Sequence, residues 1–94
     1  MKSIVIAAAL AASLAFAGTA SAQEALAKSS GCMNCHDIAT KKIGPAFKDV
    51  AAKYKGKADA EKTLATKVST ANGHPKVKAS DDDVNALVKW VLSL

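Results

Sequence analysis

Apolar residues recur along this chain at helical rather than strand spacing. After an uncharged run from Ile4 to Ala17, residues 24–30, EALAKSS, have the composition of a short helix that Gly31 ends. The segment GPAFKDVAAKYKG sets Phe47, Val50, Ala51 and Tyr54 at i, i+3, i+4 and i+7. That spacing predicts a second helix, with Pro45 in its first turn and Gly56 as its stop. Residues 57–73, KADAEKTLATKVSTANG, predict a third, with Ala60, Leu64, Val68 and Ala71 on one stripe and Asn72-Gly73 closing it. A fourth follows Ser80, a good N-cap, with Asp81, Asp82 and Asp83 in its first turn, where the helix dipole favours negative charge. Its apolar face is Val84, Leu87, Val88, Val91 and Leu92. No segment alternates as a strand does, so the predicted fold class is all-α. Phe47, Leu64, Leu87 and Val91 read as core. Trp90 has an indole N–H to satisfy and suits either a cofactor edge or the surface.

The first 22 residues read as a separate object. Lys2 supplies a positive start, the apolar run is about 14 residues, Gly18 breaks it, and Ala20-Ser21-Ala22 has the small-x-small pattern of a signal-peptidase site. The run is shorter than the ~20 residues a spanning helix needs. It therefore predicts an export signal, 1–22, cleaved before Gln23, and a single domain over 23–94 without stable membrane insertion. That domain keeps only three aromatics, Phe47, Tyr54 and Trp90. So small a core is near the limit of what protein packing alone can stabilise, which invites a disulfide, a metal or a cofactor.

Charge narrows the partners. The mature segment carries twelve lysines against eight carboxylates, a net +4, one less than the +5 of the whole chain because Lys2 leaves with the leader. There is no arginine, which argues against nucleic-acid recognition by bidentate guanidinium contacts. Scattered lysines fit electrostatic steering towards an acidic redox-partner protein, and equally fit ordinary solvated helix faces. The expected state is a monomer.

The candidate chemistry lies in GCMNCHDIATKKIGP, residues 31–45. Cys32-Met33-Asn34-Cys35-His36 is C-x-x-C-H. A thioredoxin-like pair would want a preceding strand, which the pattern lacks. Structural zinc would take Cys32, Cys35, His36 and His74, with the adjacent pair Cys35 and His36 an awkward grip on one tetrahedral ion. Haem c suits the spacing best: two thiols bond the porphyrin vinyl groups and the next residue puts imidazole under the iron. The export signal and the thin core agree with it. The acidic trio at 81–83 reads as helix capping rather than a metal site.

With CMNCH, IGPAFKDVAAKY and the closing SDDDVNALVKWVLSL, residues 23–94 resemble the small class I c-type cytochromes of bacterial periplasms. The resemblance implies a periplasmic all-α fold of about four helices wrapped around one covalently attached haem, with N- and C-terminal helices crossing. It also implies that the carbonyl of Pro45 accepts a hydrogen bond from the proximal imidazole of His36, fixing its tautomer and orientation. In that family the sixth iron ligand is usually a methionine in a loop before the last helix, often as Met-Pro. Here the sequence departs: the one methionine after residue 22 is Met33, inside the C-x-x-C-H loop. His74-Pro75 stands where Met-Pro would stand relative to SDDD. Gly73 permits a tight turn and Pro75 biases His74 towards an extended backbone, as suits a residue presented inward from a loop.

The leading expectation is thus haem c anchored by Cys32 and Cys35 and ligated by His36 and His74, in an electron-transfer protein rather than an enzyme. The alternatives for the sixth position are an open site, Lys76 or Lys78, with His74 an ordinary loop residue. An open or labile site would make a gas-binding or sensing haem protein. A haem peroxidase would need a distal acid–base group that the chain does not offer once His74 is on the iron. Lys41, Lys42, Lys48, Lys53, Lys76 and Lys78 are the candidate docking cations.

Overall fold

A computed structural model describes residues 20–94. The expected leader therefore lies outside the described residues, apart from its last three. Helix α1 covers 20–29 of the described chain. A 3-10 turn, Cys32–Asn34, follows, then α2, Phe47–Tyr54, α3, Ala60–Ser69, and α4, Asp81–Leu92. The described residues contain no strand, and the architecture is all-α.

Helix α4 organises the rest because it has two apolar stripes instead of one. Leu87, Trp90 and Val91, at i, i+3 and i+4, pack with Ala27 and Leu26 of α1 and Phe47 of α2. Val84, Val88 and Leu92, at i, i+4 and i+8, pack with Leu64, Ala65 and Val68 of α3. First and last helices therefore meet, and α2 and α3 both lie on α4. Its start is fixed by Ser80, whose Oγ accepts from the Asp83 N–H at 3.2 Å, while the three aspartates occupy the first turn. Val84 is only 1% exposed, the most enclosed large side chain of this core.

Three details differ from the sequence pattern. Pro45 lies ahead of α2 and not in its first turn; the N-cap is Ala46, in extended backbone, and the helix begins at Phe47. Helix α3 ends at Ser69, so Ala71 leaves the predicted stripe: it has φ 53° and is exposed, and Gly73 follows at φ 72°. Two left-handed residues in three reverse the chain just before His74. Trp90 is not at the surface, one of the two places the sequence offered for it; it is 9% exposed and set edge-on to Phe47, ring centres 5.7 Å apart at 77°.

Candidate haem-binding site

The site is assembled by two segments that the helices bring together. In the first, α1 gives way to Ser30, which is buried and donates its N–H to Leu26 O at 2.9 Å. Gly31 then turns the chain at φ 87°. The 3-10 turn closes through Cys35 N–H and His36 N–H, both donated to Cys32 O, at 3.3 and 3.0 Å. Cys32 and Cys35 are half-buried free thiols at the two ends of that turn. Burial pushes the Cys32 thiol above its ordinary pKa, a backbone hydrogen bond at the same residue pulling the other way.

Residues 37–46 fold back over this turn. Gly44 N–H donates to Cys35 O at 2.7 Å, Phe47 N–H to Asp37 O at 2.9 Å, and Lys42 Nζ to Met33 O at 3.0 Å. The result fixes His36. Its Nδ1 lies 2.6 Å from Pro45 O, and because a carbonyl only accepts, Nδ1 carries a proton, so that the neutral ring has its lone pair on Nε2. Phe47 stacks against the imidazole with ring centres 4.9 Å apart and planes 22° from parallel. On another side the ring crowds the Gly44 backbone so closely that a Cβ there would fall 2.8 Å from both ring nitrogens.

The second segment, 74–79, comes off the left-handed turn. His74 is half-buried, and its Nδ1 lies 2.7 Å from Pro75 O. By the same reasoning Nδ1–H donates there and Nε2 is left bare. The His36 and His74 rings are 6.1 Å apart, centre to centre, and 6° from parallel. Val77 and Ala79 pack into the α3–α4 cluster, and Lys78 N–H reaches Ser30 O at 3.4 Å. The loop is thus pegged to the core and tied to the residue two before Cys32. The lysines named from the sequence, Lys41, Lys42, Lys48, Lys53, Lys76 and Lys78, are all exposed.

Among the described residues, no three histidine, cysteine or carboxylate side chains converge as a bound metal ion would require. That disfavours the four-ligand zinc alternative. The donor chemistry fits haem c instead: two unpaired thiols, free for thioether bonds, precede an imidazole whose Nδ1 is engaged by a carbonyl, which leaves Nε2 as the nitrogen for a metal. Sequence reasoning did not find Gly44, Phe47 as the brace of His36, the carbonyl of Pro75, or Val77 as the peg of the loop. The Gly-Pro pair was the available signal for the first. Val77 carried none, because a six-residue loop has no periodicity.

The sequence model of the cytochrome c family matches residues 20–94. Cytochrome c-552 of Nitrosomonas europaea is 42% identical over 92 residues, covering 89% of each chain. Cytochrome c-551 of Pseudomonas aeruginosa is 46% identical over 77 residues, covering 74% of each. The crystal structure of wild-type Nitrosomonas europaea cytochrome c552 superposes with a TM-score of 0.68 at 41% identity, over 76% of this chain and 98% of that one. Class 1 cytochrome MtoD of Sideroxydans lithotrophicus ES-1 does so with a TM-score of 0.66 at 35% identity, over 78% of this chain and 92% of that one.

Proposed function

This chain belongs to the cytochrome c family, and from that premise we propose that it is an exported electron carrier whose haem iron is ligated by His36 on one face and His74 on the other. Membership brings one covalent haem c, attached at Cys32 and Cys35, and with it reversible one-electron chemistry at the iron. The chain's own residues attach the group, orient the two imidazoles, exclude water and present a cationic surface.

The observation that carries the bis-imidazole reading is the relation between the two rings. Two imidazoles sharing one metal through Nε2, at metal–nitrogen distances of about 2 Å, hold their ring centres roughly 6 Å apart. The separation here is 6.1 Å with near-parallel planes, and each ring spends its Nδ1 proton on a prolyl carbonyl. Imidazole donates more strongly than a thioether and favours the ferric state, so the reduction potential is expected below that of methionine-ligated relatives. Rings braced by these hydrogen bonds would keep reorganisation small.

Export is supported by length. The solved Nitrosomonas europaea chain is spanned almost whole by 76% of this one, close to the 72 of 94 residues that remain after cleavage before Gln23. No described helix is long and apolar enough to cross a membrane. The exposed lysines suit an acidic redox partner, met by a monomer.

The test is a His74→Met variant. It is expected to raise the reduction potential by about 0.1 V or more, within the ~0.8 V range that axial ligands command. The ferric spectrum should change from two-nitrogen to nitrogen–sulfur ligation. An unchanged potential and spectrum would remove His74 from the iron.

A further inference from the structure

Lys42 is exposed, yet the fold fixes its charge. Its Nζ donates to Met33 O at 3.0 Å, on the turn that opens at Cys32 and leads into Cys35 and His36. We propose that Lys42 is a redox-tuning residue: its ammonium, tied to the haem-attachment turn, favours the ferrous state and raises the reduction potential. The inference rests on haem attached at Cys32 and Cys35, and holds whichever residue fills the sixth position.

Three observations place a fixed, uncancelled cation on that turn. The N–H groups of Cys35 and His36 both go to Cys32 O, at 3.3 and 3.0 Å, so neither serves Met33 O, and the ammonium takes that carbonyl instead. A charged donor makes a stronger bond there than a neutral one. The backbone of the same residue is anchored too: Lys42 N–H donates to Gly44 O at 3.1 Å, and Gly44 N–H donates to Cys35 O at 2.7 Å. Both ends of Lys42 are therefore held to the cysteine turn. Lastly, Asp37, the nearest carboxylate along the chain, accepts the Ile38 N–H at 2.7 Å, and no ion pair joins it to Lys42 among the described residues.

The sign follows from charge. Oxidation adds one positive charge at the iron, and a cation held nearby opposes it. A lysine free in water spreads its charge over many rotamers, whereas one held at its tip acts from a single place. Lys42 thus works against the lowering of potential expected from a second imidazole. Because it is exposed, salt should weaken the effect.

Spectroelectrochemical titration of the haem-bound protein tests this, with Lys42→Gln, Lys42→Arg and Lys41→Gln compared at roughly 0.01 and 1 M salt. At low salt and a fixed applied potential, Lys42→Gln is expected to lower the ferrous-to-ferric ratio about threefold, or roughly 30 mV at ~59 mV per tenfold for one electron. Most of that shift should vanish at high salt. Lys42→Arg, which keeps the charge, should stay close to the parent protein. Lys41→Gln removes the same charge one residue away and should move the ratio less than half as far. Equal shifts at the two positions would make Lys42 ordinary surface charge and overturn the proposal, as would an unmoved ratio in Lys42→Gln. A ferric spectrum altered in Lys42→Gln would trace the shift to ligation and overturn it as well. None of these results touches the reading of His74, which is judged from the parent protein's spectrum and from His74→Met.

Discussion

At position 44 the hydrogen that stands in for a side chain is what lets the His36 ring lie against the backbone. Alanine there would put a Cβ 2.8 Å from both ring nitrogens, and the neighbour that must yield is the imidazole, held by Pro45 O on one side and Phe47 on another. Gly44→Ala is expected to cost about 1–3 kcal/mol in denaturant unfolding of the haem-bound protein. It should also tilt His36, seen as a high-spin fraction in the ferric spectrum. The residue scale is also where sequence was most informative. C-x-x-C-H states its chemistry in five letters, and the loss of Met beside Pro75 drew attention to His74. What those letters did not carry was the set of contacts that aims the rings, since Gly44, Phe47 and the carbonyl of Pro75 act through positions created only by folding.

Among the elements, the short loop 74–79 does for His74 what a longer stretch does for His36. Val77 enters the cluster of Ala65, Val84 and Val88, and the Lys78 N–H meets the carbonyl of buried Ser30. Val77→Ala is expected to remove roughly 1–2 kcal/mol of apolar packing. Carbon monoxide should then bind the ferrous protein several-fold faster, because His74 leaves more readily, while Val77→Ile should restore the slow rate. Ser80→Ala, which deletes the acceptor for Asp83 N–H at the head of α4, is expected to cost about 1 kcal/mol in thermal unfolding. The period of 3.6 made α2 and α4 plain in the sequence. It misplaced the end of α3, where Ala71 fell on the next stripe position although the chain had already turned left-handed. Local propensity there yields to the need to bring His74 back towards His36.

For the molecule as a whole, charge is unevenly distributed along the chain. Residues 41–57 hold six lysines, Lys41, Lys42, Lys48, Lys53, Lys55 and Lys57, against the single carboxylate of Asp49, while Asp81, Asp82 and Asp83 cluster at the head of α4. A partner of opposite sign would be attracted and turned before contact. Its reduction rate is expected to fall on the order of tenfold between roughly 0.01 and 0.15 M salt, over which the screening length shrinks from about 30 to about 8 Å. Replacing Lys41 and Lys42 with glutamate should flatten that dependence, and a rate indifferent to salt would remove the lysines from docking. The net charge was readable at once, but where Lys41 and Lys42 come to lie depends on how residues 37–46 fold over the cysteines.

A single ring, Phe47, stands between Trp90 and His36, the proposed proximal ligand. A haem anchored there would drain the indole's excited state, so the folded protein should be nearly dark in fluorescence. Light would return only as α4 swings away from α1 and α2. One buried side chain thereby gives the molecule a built-in optical gauge of whether its first and last helices are still joined.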